Sequence, residues 1–337
     1  MEDPASRLLP EEQLLVSLCR LDFPEDQLGE IKQIIKEIRD WDYFTRMANS
    51  HGIIALIANN IQENNLEQHI PGPVLENLKN GRLQSLLRNA WLTEQWKKVD
   101  EILINEGIKY VLLKGMALEH TIYGSCGLRQ MTDIDILTKR EDALKAWTVL
   151  QLNGFTSDIL KSSLHRKIIL KIGKHLPTLR KDGFAIEVHH RLFHDPAKNG
   201  ILDKEIDEAK EILIESRPAY ILNDEIHFNY LVEHNIDHMS AAGSQLRLFL
   251  DLELIRKGSA PDITSLFLSR PDKFKIQHGK RNIYKEQVLS LNKLERIKYC
   301  AGDIFPSLKW MKQRFNCNTY KAILIYPLRL GKLRKLI

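Results

Sequence analysis

Two aspartates alternate with two isoleucines in the segment Asp133-Ile134-Asp135-Ile136. Along a β-strand, residues i and i+2 point to the same face, about 6.5–7 Å apart. Asp133 and Asp135 would therefore share one face and Ile134 and Ile136 the other. The isoleucine face predicts burial. The acidic face needs water, a basic partner or a cation, because an unpaired buried carboxylate is very costly. Side-by-side carboxylates also repel each other. A divalent cation that prefers hard oxygen ligands, Mg²⁺ (or Mn²⁺), would relieve that repulsion. The same spacing also suits a half-exposed strand whose aspartates are simply solvated. With 44 Asp and Glu in 337 residues, roughly six acid-x-acid pairs are expected by chance. Asp40-Trp41-Asp42 and Asp203-Lys204-Glu205 sit in helical or polar surroundings and read as solvated surface.

Glu187 lies in another strand-like run, between Ile186 and Val188. Three carboxylates on neighbouring strands can hold two metal ions, which stabilise the attacking and leaving oxygens of a phosphoryl or nucleotidyl transfer. Upstream, Gly115 ends a strand-like run and opens a helix-like one. Backbone N–H groups at a helix N-terminus form an anion site, and Lys114 can add a point charge there. Arg129, just before the aspartate strand, suits either a phosphate contact through its forked guanidinium or a salt bridge that restrains the loop. By strand alternation His189 shares the face of Glu187 and His190 does not. His175 and His189 are candidates for substrate contact, or else hydrogen-bonded core histidines. His234 and His238 are one helical turn apart, as are Arg247 and Asp251. Helix packing is the reading for the first pair, and a surface ion pair for the second.

These residues need elements to position them. Apolar residues at three- and four-residue spacing predict helices over 11–19, 28–38 and 41–61. Pro71-Gly72-Pro73 then breaks the pattern. A long helix follows over 74–106, with Gly107 as its C-cap. Strands are predicted over 108–113 and 131–138, with a helix over 116–123 and a loop at Gly124, Ser125 and Gly127 between them. A helix over 142–153 ends at Gly154. A hairpin of strands 176–180 and 184–190 turns through Lys181-Asp182-Gly183. From about 200 helices dominate again, most strongly over 221–238 and 244–256. This order predicts an α+β fold: a small mixed sheet core at 106–198, flanked by helical regions at 1–105 and 199–337.

The bulk numbers narrow the function class. Hydrophobic residues make up 43% and charged residues 28%, as in an ordinary soluble globular chain. No run of eighteen apolar residues suggests a membrane span, and the acidic start lacks a signal pattern, so a cytoplasmic location is expected. Cys19, Cys126, Cys300 and Cys317 are scattered, which argues against a zinc site or a disulfide framework. The net charge of +5 permits a polyanionic partner without requiring a specific nucleic acid. From Tyr320 onward the chain carries five Lys or Arg and no acid. That basic tail suits weak contact with an anionic surface, or plain packing of its leucines.

The combination of strand, glycine and helix, then Asp-x-Asp on the next strand, then an acid on a third, resembles the nucleotidyltransferase fold of the DNA polymerase beta superfamily. More narrowly it resembles a family of uncharacterised, stand-alone nucleotidyltransferases. The matching words are Leu113 to Leu118, Tyr123, Gly127 to Leu137, Gly154-Phe155, His175-Leu176-Pro177 and Ile186 to Leu192, with His234, Arg247 and Asp251-Leu252 in the helical part. The similarity extends from about Trp41 to the C-terminal tail. It implies Asp133 and Asp135 as metal ligands and Glu187 as the third carboxylate, activating or orienting the attacking group. It implies Gly115 as the phosphate-loop glycine, with Lys114, Met116 and Arg129 at the nucleotide. Met116 stands where the superfamily has Ser or Gly, so one side-chain grip on the triphosphate is lost, and Lys114 or Arg129 is the candidate replacement. The expected activity is transfer of a nucleotidyl group from an NTP to an unknown acceptor: a small hydroxylated metabolite, a peptide or a protein. The alternative is a non-catalytic nucleotide- or partner-binding module that keeps the fold.

Overall fold

A computed structural model describes residues 8–23, 25–157, 160–242, 245–256, 289 and 291–325. In chain order the helices are α1 (Pro10–Leu18), α2 (Leu28–Glu37), α3 (Trp41–Ser50), α4 (Ile54–Glu63), α5 (Gly72–Asn105) and α6 (Lys114–Thr121). They continue with α7 (Ala143–Leu152), α8 (His165–Ile172), α9 (Leu202–Asp207), α10 (Asp224–Ala242), α11 (Leu246–Ile255), α12 (Lys293–Ile304) and α13 (Leu308–Phe315). The strands are β1 (Tyr110–Leu113), β2 (Asp133–Thr138), β3 (Thr156–Ser157), β4 (Leu179–Lys181), β5 (Phe184–His189), β6 (Lys210–Ile214) and β7 (Arg217–Ile221). The chain forms two compact units, Met1–Leu137 with Asp203–Gln277, and Thr138–Leu202 with His278–Ile337. The basic end of the chain, from 326 on, lies outside the described residues. Among the described residues no helix is long and apolar enough to cross a membrane.

The first unit is built on α1 to α4, whose leucines and isoleucines form one apolar core with Leu118, Tyr123 and Leu128 and with Leu231, Leu246 and Leu250. The predicted helix over 41–61 is two helices. Asp40 caps α3 by accepting from Tyr43 N–H at 2.7 Å. Gly52, at φ +67°, turns the chain between α3 and α4, a conformation open to glycine at little cost. Helix α5 starts at the proline punctuation and ends at Asn105, with Gly107 (φ +68°) just beyond its cap, where the sequence predicts the stop. Its buried face, Leu78, Ser85, Asn89, Leu92, Trp96 and Leu103, is a single helical stripe.

In this unit the strand order is β2-β1-β7-β6. β1 runs parallel to β7, with Leu112 opposite Ile221, while β6 and β7 form an antiparallel hairpin. Helix-dominated structure is expected after residue 200, and this hairpin departs from it. Its turn residues Glu215 and Ser216 both have positive φ, 48° and 66°. Such turns usually carry Asn-Gly or Asp-Gly, so the sequence has no turn signal there. Long-range bonds hold the sheet to α5. Trp96 Nε1 donates to Tyr110 Oη at 2.8 Å, and Tyr110 Oη donates to Asp100 at 2.7 Å. Arg217 donates to the Lys97 carbonyl and to Asp100 and Glu101.

In the second unit β3, β4 and β5 are antiparallel, with Leu179 opposite Ile186 and Lys181 opposite Phe184. The predicted turn is present: Asp182 and Gly183 adopt φ 47° and 85°, the positive pair that a two-residue hairpin requires. Helix α7 covers this hairpin, and Trp147 Nε1 donates to the Pro177 carbonyl at 2.8 Å. Lys171 of α8 and Lys161 in the segment before it form ion pairs with Glu295 and Asp303 of α12. Parallel and antiparallel strands among flanking helices bear out the mixed α and β class.

Candidate active site

β1 passes directly into α6, with Leu113 ending the strand and Lys114 opening the helix. Lys114 sits at φ +46°, a region that residues with a Cβ seldom enter and that typically costs about 1–3 kcal/mol. Its ammonium lies 2.7 Å from Asp135 Oδ1. Gly115 does not need its freedom of torsion. A Cβ there would fall 2.5 Å from Arg129 Nη1 and 3.1 Å from Met131 Cγ, so the residue is small because other side chains approach it closely. Met116 is buried in α6.

β2 presents the aspartates as alternation predicts, with Ile134 and Ile136 fully buried. Asp133 is half-buried and accepts from Thr132 Oγ1 at 3.1 Å. Asp135 is deeper than an acid-to-water face implies, at 3% exposure. A carboxylate at that depth requires a compensating charge, and the Lys114 ammonium supplies one.

The loop from 124 to 132 delivers β2, and buried polar groups pin it. Arg129 Nε donates to Asp251 Oδ1 at 3.0 Å, and Nη2 donates to Asp251 Oδ2 at 2.7 Å. Tyr123 Oη donates to Asp251 Oδ1 at 2.9 Å. Burial disfavours the guanidinium charge, but the Asp251 carboxylate outweighs it and holds the Arg129 pKa above its ordinary value. Of the two roles open to Arg129, the structure displays the salt bridge. Arg247, expected to pair with Asp251 along the helix, donates to the Gln130 carbonyl at 2.7 Å. Glu119 accepts from Gly127 N–H at 2.5 Å and from Arg129 N–H at 3.2 Å. Burial raises its pKa despite those bonds. Ser85 donates to the Gly127 carbonyl and Asn89 to the Arg129 carbonyl. Gly127 is at φ +72°, and a Cβ would meet Leu86 Cα at 2.5 Å. Glu119, Asn89 and Ser85 escaped the sequence reading. They look like ordinary helix residues until the loop is laid across them.

In the second unit β5 carries Glu187 and His189 on one face. Glu187 Oε1 accepts from Thr178 Oγ1 at 3.1 Å. Its Oε2 lies 3.5 Å from His189 Nε2 and 4.0 Å from His175 Nε2. The His175 and His189 rings are 5.1 Å apart across an antiparallel bridge. His175, Glu187 and His189 thus form one cluster, as Lys114 and Asp135 do in the first unit. On the opposite face His190 is buried, and neither of its ring nitrogens has a hydrogen-bond partner among the described residues. The His234 and His238 rings meet edge to face along α10, 5.9 Å apart.

Two histidines set a pH dependence. Burial, reinforced by Arg191 and Arg140, pushes the His190 pKa down to about 3. Burial pushes the His227 pKa down to about 4. In the unfolded chain both titrate near 6.5. Between those limits the unfolded state binds more protons, so stability is fully present above pH 6.5 and is lost as pH falls toward 4 and then 3. The expected slope is about 1.4 kcal/mol per pH unit for each histidine. Urea midpoints at pH 7, 6 and 5 check this, with a slope that flattens in His190→Gln.

No curated protein and no solved structure shows a match to the chain. A family model described as an uncharacterised nucleotidyltransferase matches residues 37–279. The match begins close to the expected Trp41 and stops short of the C-terminal tail. It spans well over half of the 337 residues, including the β1–α6 turn, β2, β5 and Asp251. The chain belongs to the uncharacterised nucleotidyltransferase family.

Proposed function

We propose that the chain transfers a nucleoside monophosphate from an NTP to an acceptor hydroxyl, with Mg²⁺ or Mn²⁺ as cofactor. The observation that carries this reading is the Asp-x-Asp of β2 set beside the strand-to-helix turn at Lys114 and Gly115, with Lys114 paired to Asp135. Carboxylate oxygens are the hard donors that Mg²⁺ takes, and Asp135 already holds a cationic group. The residues present therefore fit the ion. Asp133 and Asp135 would be its ligands, with Glu187 as the third carboxylate. When bound, the metal supplies charge stabilisation at the attacking and leaving oxygens.

The chain's own residues would do the rest. The N–H groups that open α6 at Gly115 and Met116 would hold phosphate oxygens, as helix N-termini do. Because the Met116 side chain is buried, its share of that grip would come from the backbone. The Lys114 ammonium would neutralise triphosphate charge. Arg129 would act through Asp251, keeping the loop that carries β2 in place. Glu187 would orient the acceptor hydroxyl and take its proton, with His189 and His175 beside it at the acceptor. The new bond joins the acceptor oxygen to the α-phosphorus, the bond to the bridging oxygen breaks, and pyrophosphate leaves.

The test is incubation of the purified chain with NTPs, Mg²⁺ or Mn²⁺ and a metabolite extract. Label on the α-phosphate is expected to move to an acceptor, label on the γ-phosphate is not, and EDTA is expected to stop the transfer. Nucleotide binding with no turnover, unchanged in Asp133→Ala/Asp135→Ala, would establish a binding module instead and overturn the proposal.

A further inference from the structure

We infer that Lys114 is the resident counter-ion of Asp135 when no divalent cation is bound, and that it moves from that carboxylate to the triphosphate when the cation arrives. The inference rests on the proposed metal site and adds an exchange of partners to it. Three observations carry it. The ammonium lies 2.7 Å from a carboxylate that is 3% exposed. Lys114 is held at φ +46°, so the turn places its side chain toward β2 despite an unfavourable torsion. It is also the first residue of α6, the helix end where phosphate oxygens would sit.

Charge counting gives the direction of the exchange. Asp133 and Asp135 stand about 6.5–7 Å apart on one strand face. Without a metal, the Lys114 ammonium lowers their repulsion and gives the buried Asp135 a counter-charge. With a divalent ion on Asp135, the same ammonium would face a like charge across one carboxylate. A triphosphate at the α6 N-terminus offers it a more anionic partner. Coupling of this kind is reciprocal: the ammonium weakens cation binding as much as the cation weakens the ion pair.

Mn²⁺ titration of the purified full chain without nucleotide, read by electron paramagnetic resonance, tests this. Lys114→Asn is the variant of choice, because asparagine tolerates positive φ better than most residues and removes the charge. It is expected to bind Mn²⁺ about five- to fiftyfold more tightly than the parent chain, while its affinity for an NTP falls. Lys114→Arg keeps the charge and is expected to bind Mn²⁺ like the parent. A role limited to packing would not move the two affinities in opposite directions. Unchanged or weaker Mn²⁺ binding in Lys114→Asn, with Mn²⁺ binding lost in Asp135→Asn, would overturn the exchange and leave the metal site standing. Mn²⁺ binding indifferent to Asp133→Asn and Asp135→Asn would overturn both. Thermal unfolding of each variant confirms that a folded chain was titrated.

Discussion

Asp251→Ala is expected to lower the free energy of unfolding by about 3–5 kcal/mol, as removal of one partner of a buried ion pair does. The expectation follows from what the carboxylate leaves behind. Arg129 keeps its charge at any accessible pH and is 5% exposed. Without Asp251 its Nε and Nη2 lose their acceptor, and the Tyr123 hydroxyl loses its own. The guanidinium is also wedged against Gly115, where no Cβ would fit, so its relief by movement disturbs the β1–α6 turn. The exposed pair Lys204 and Glu208, 3.7 Å apart on α9 and the residue after it, is the contrast. Breaking it should cost well under about 1 kcal/mol. Replacing both partners, Arg129→Met with Asp251→Leu, should recover much of the loss, because the larger part of the penalty is the stranded charge. Urea denaturation of the three variants measures this. A loss below about 1 kcal/mol in Asp251→Ala would show that the pair is not buried in solution.

Asp135→Asn is expected to cut kcat/KM for nucleotidyl transfer by about a thousandfold or more, the equivalent of several kcal/mol of lost charge stabilisation. The substitution is nearly isosteric and keeps an oxygen in place. What it removes is the formal charge that would hold the divalent ion. Its effect on folding should be small by comparison. The Lys114 side chain is 13% exposed, and its long stem can carry the ammonium toward water. Activity and stability should therefore separate: Asp135→Asn folded but inactive, Asp251→Ala destabilised before anything else. Initial rates at saturating Mg²⁺, beside a urea curve for the same preparation, decide it. Retention of a tenth or more of the parental rate would remove Asp135 from the catalytic set.

Much of the local architecture could be read from the chain. Gly107 marked the end of α5, Asp182-Gly183 marked the β4–β5 turn, and the alternation of Asp and Ile marked β2, because each depends on the torsions or side-chain faces of neighbouring residues. The β6–β7 hairpin did not show, since Glu215 and Ser216 reach positive φ without the residues that advertise it. Nor did the break inside 41–61, where helical spacing continues across Gly52. At the candidate site the residue types spoke plainly: acids with period two, a glycine after a strand, a basic residue on either side. Their partners did not. Lys114 and Asp135 are 21 positions apart, Arg129 and Asp251 122 apart. Asp251 had a local partner in Arg247 one turn away, yet it pairs with Arg129. A solvated ion pair on a helix is worth little, whereas a buried guanidinium demands its counter-charge. Chemistry of that kind is written in short stretches of sequence. The pairing is decided by which groups lose their water together, and that happens only when the chain has folded.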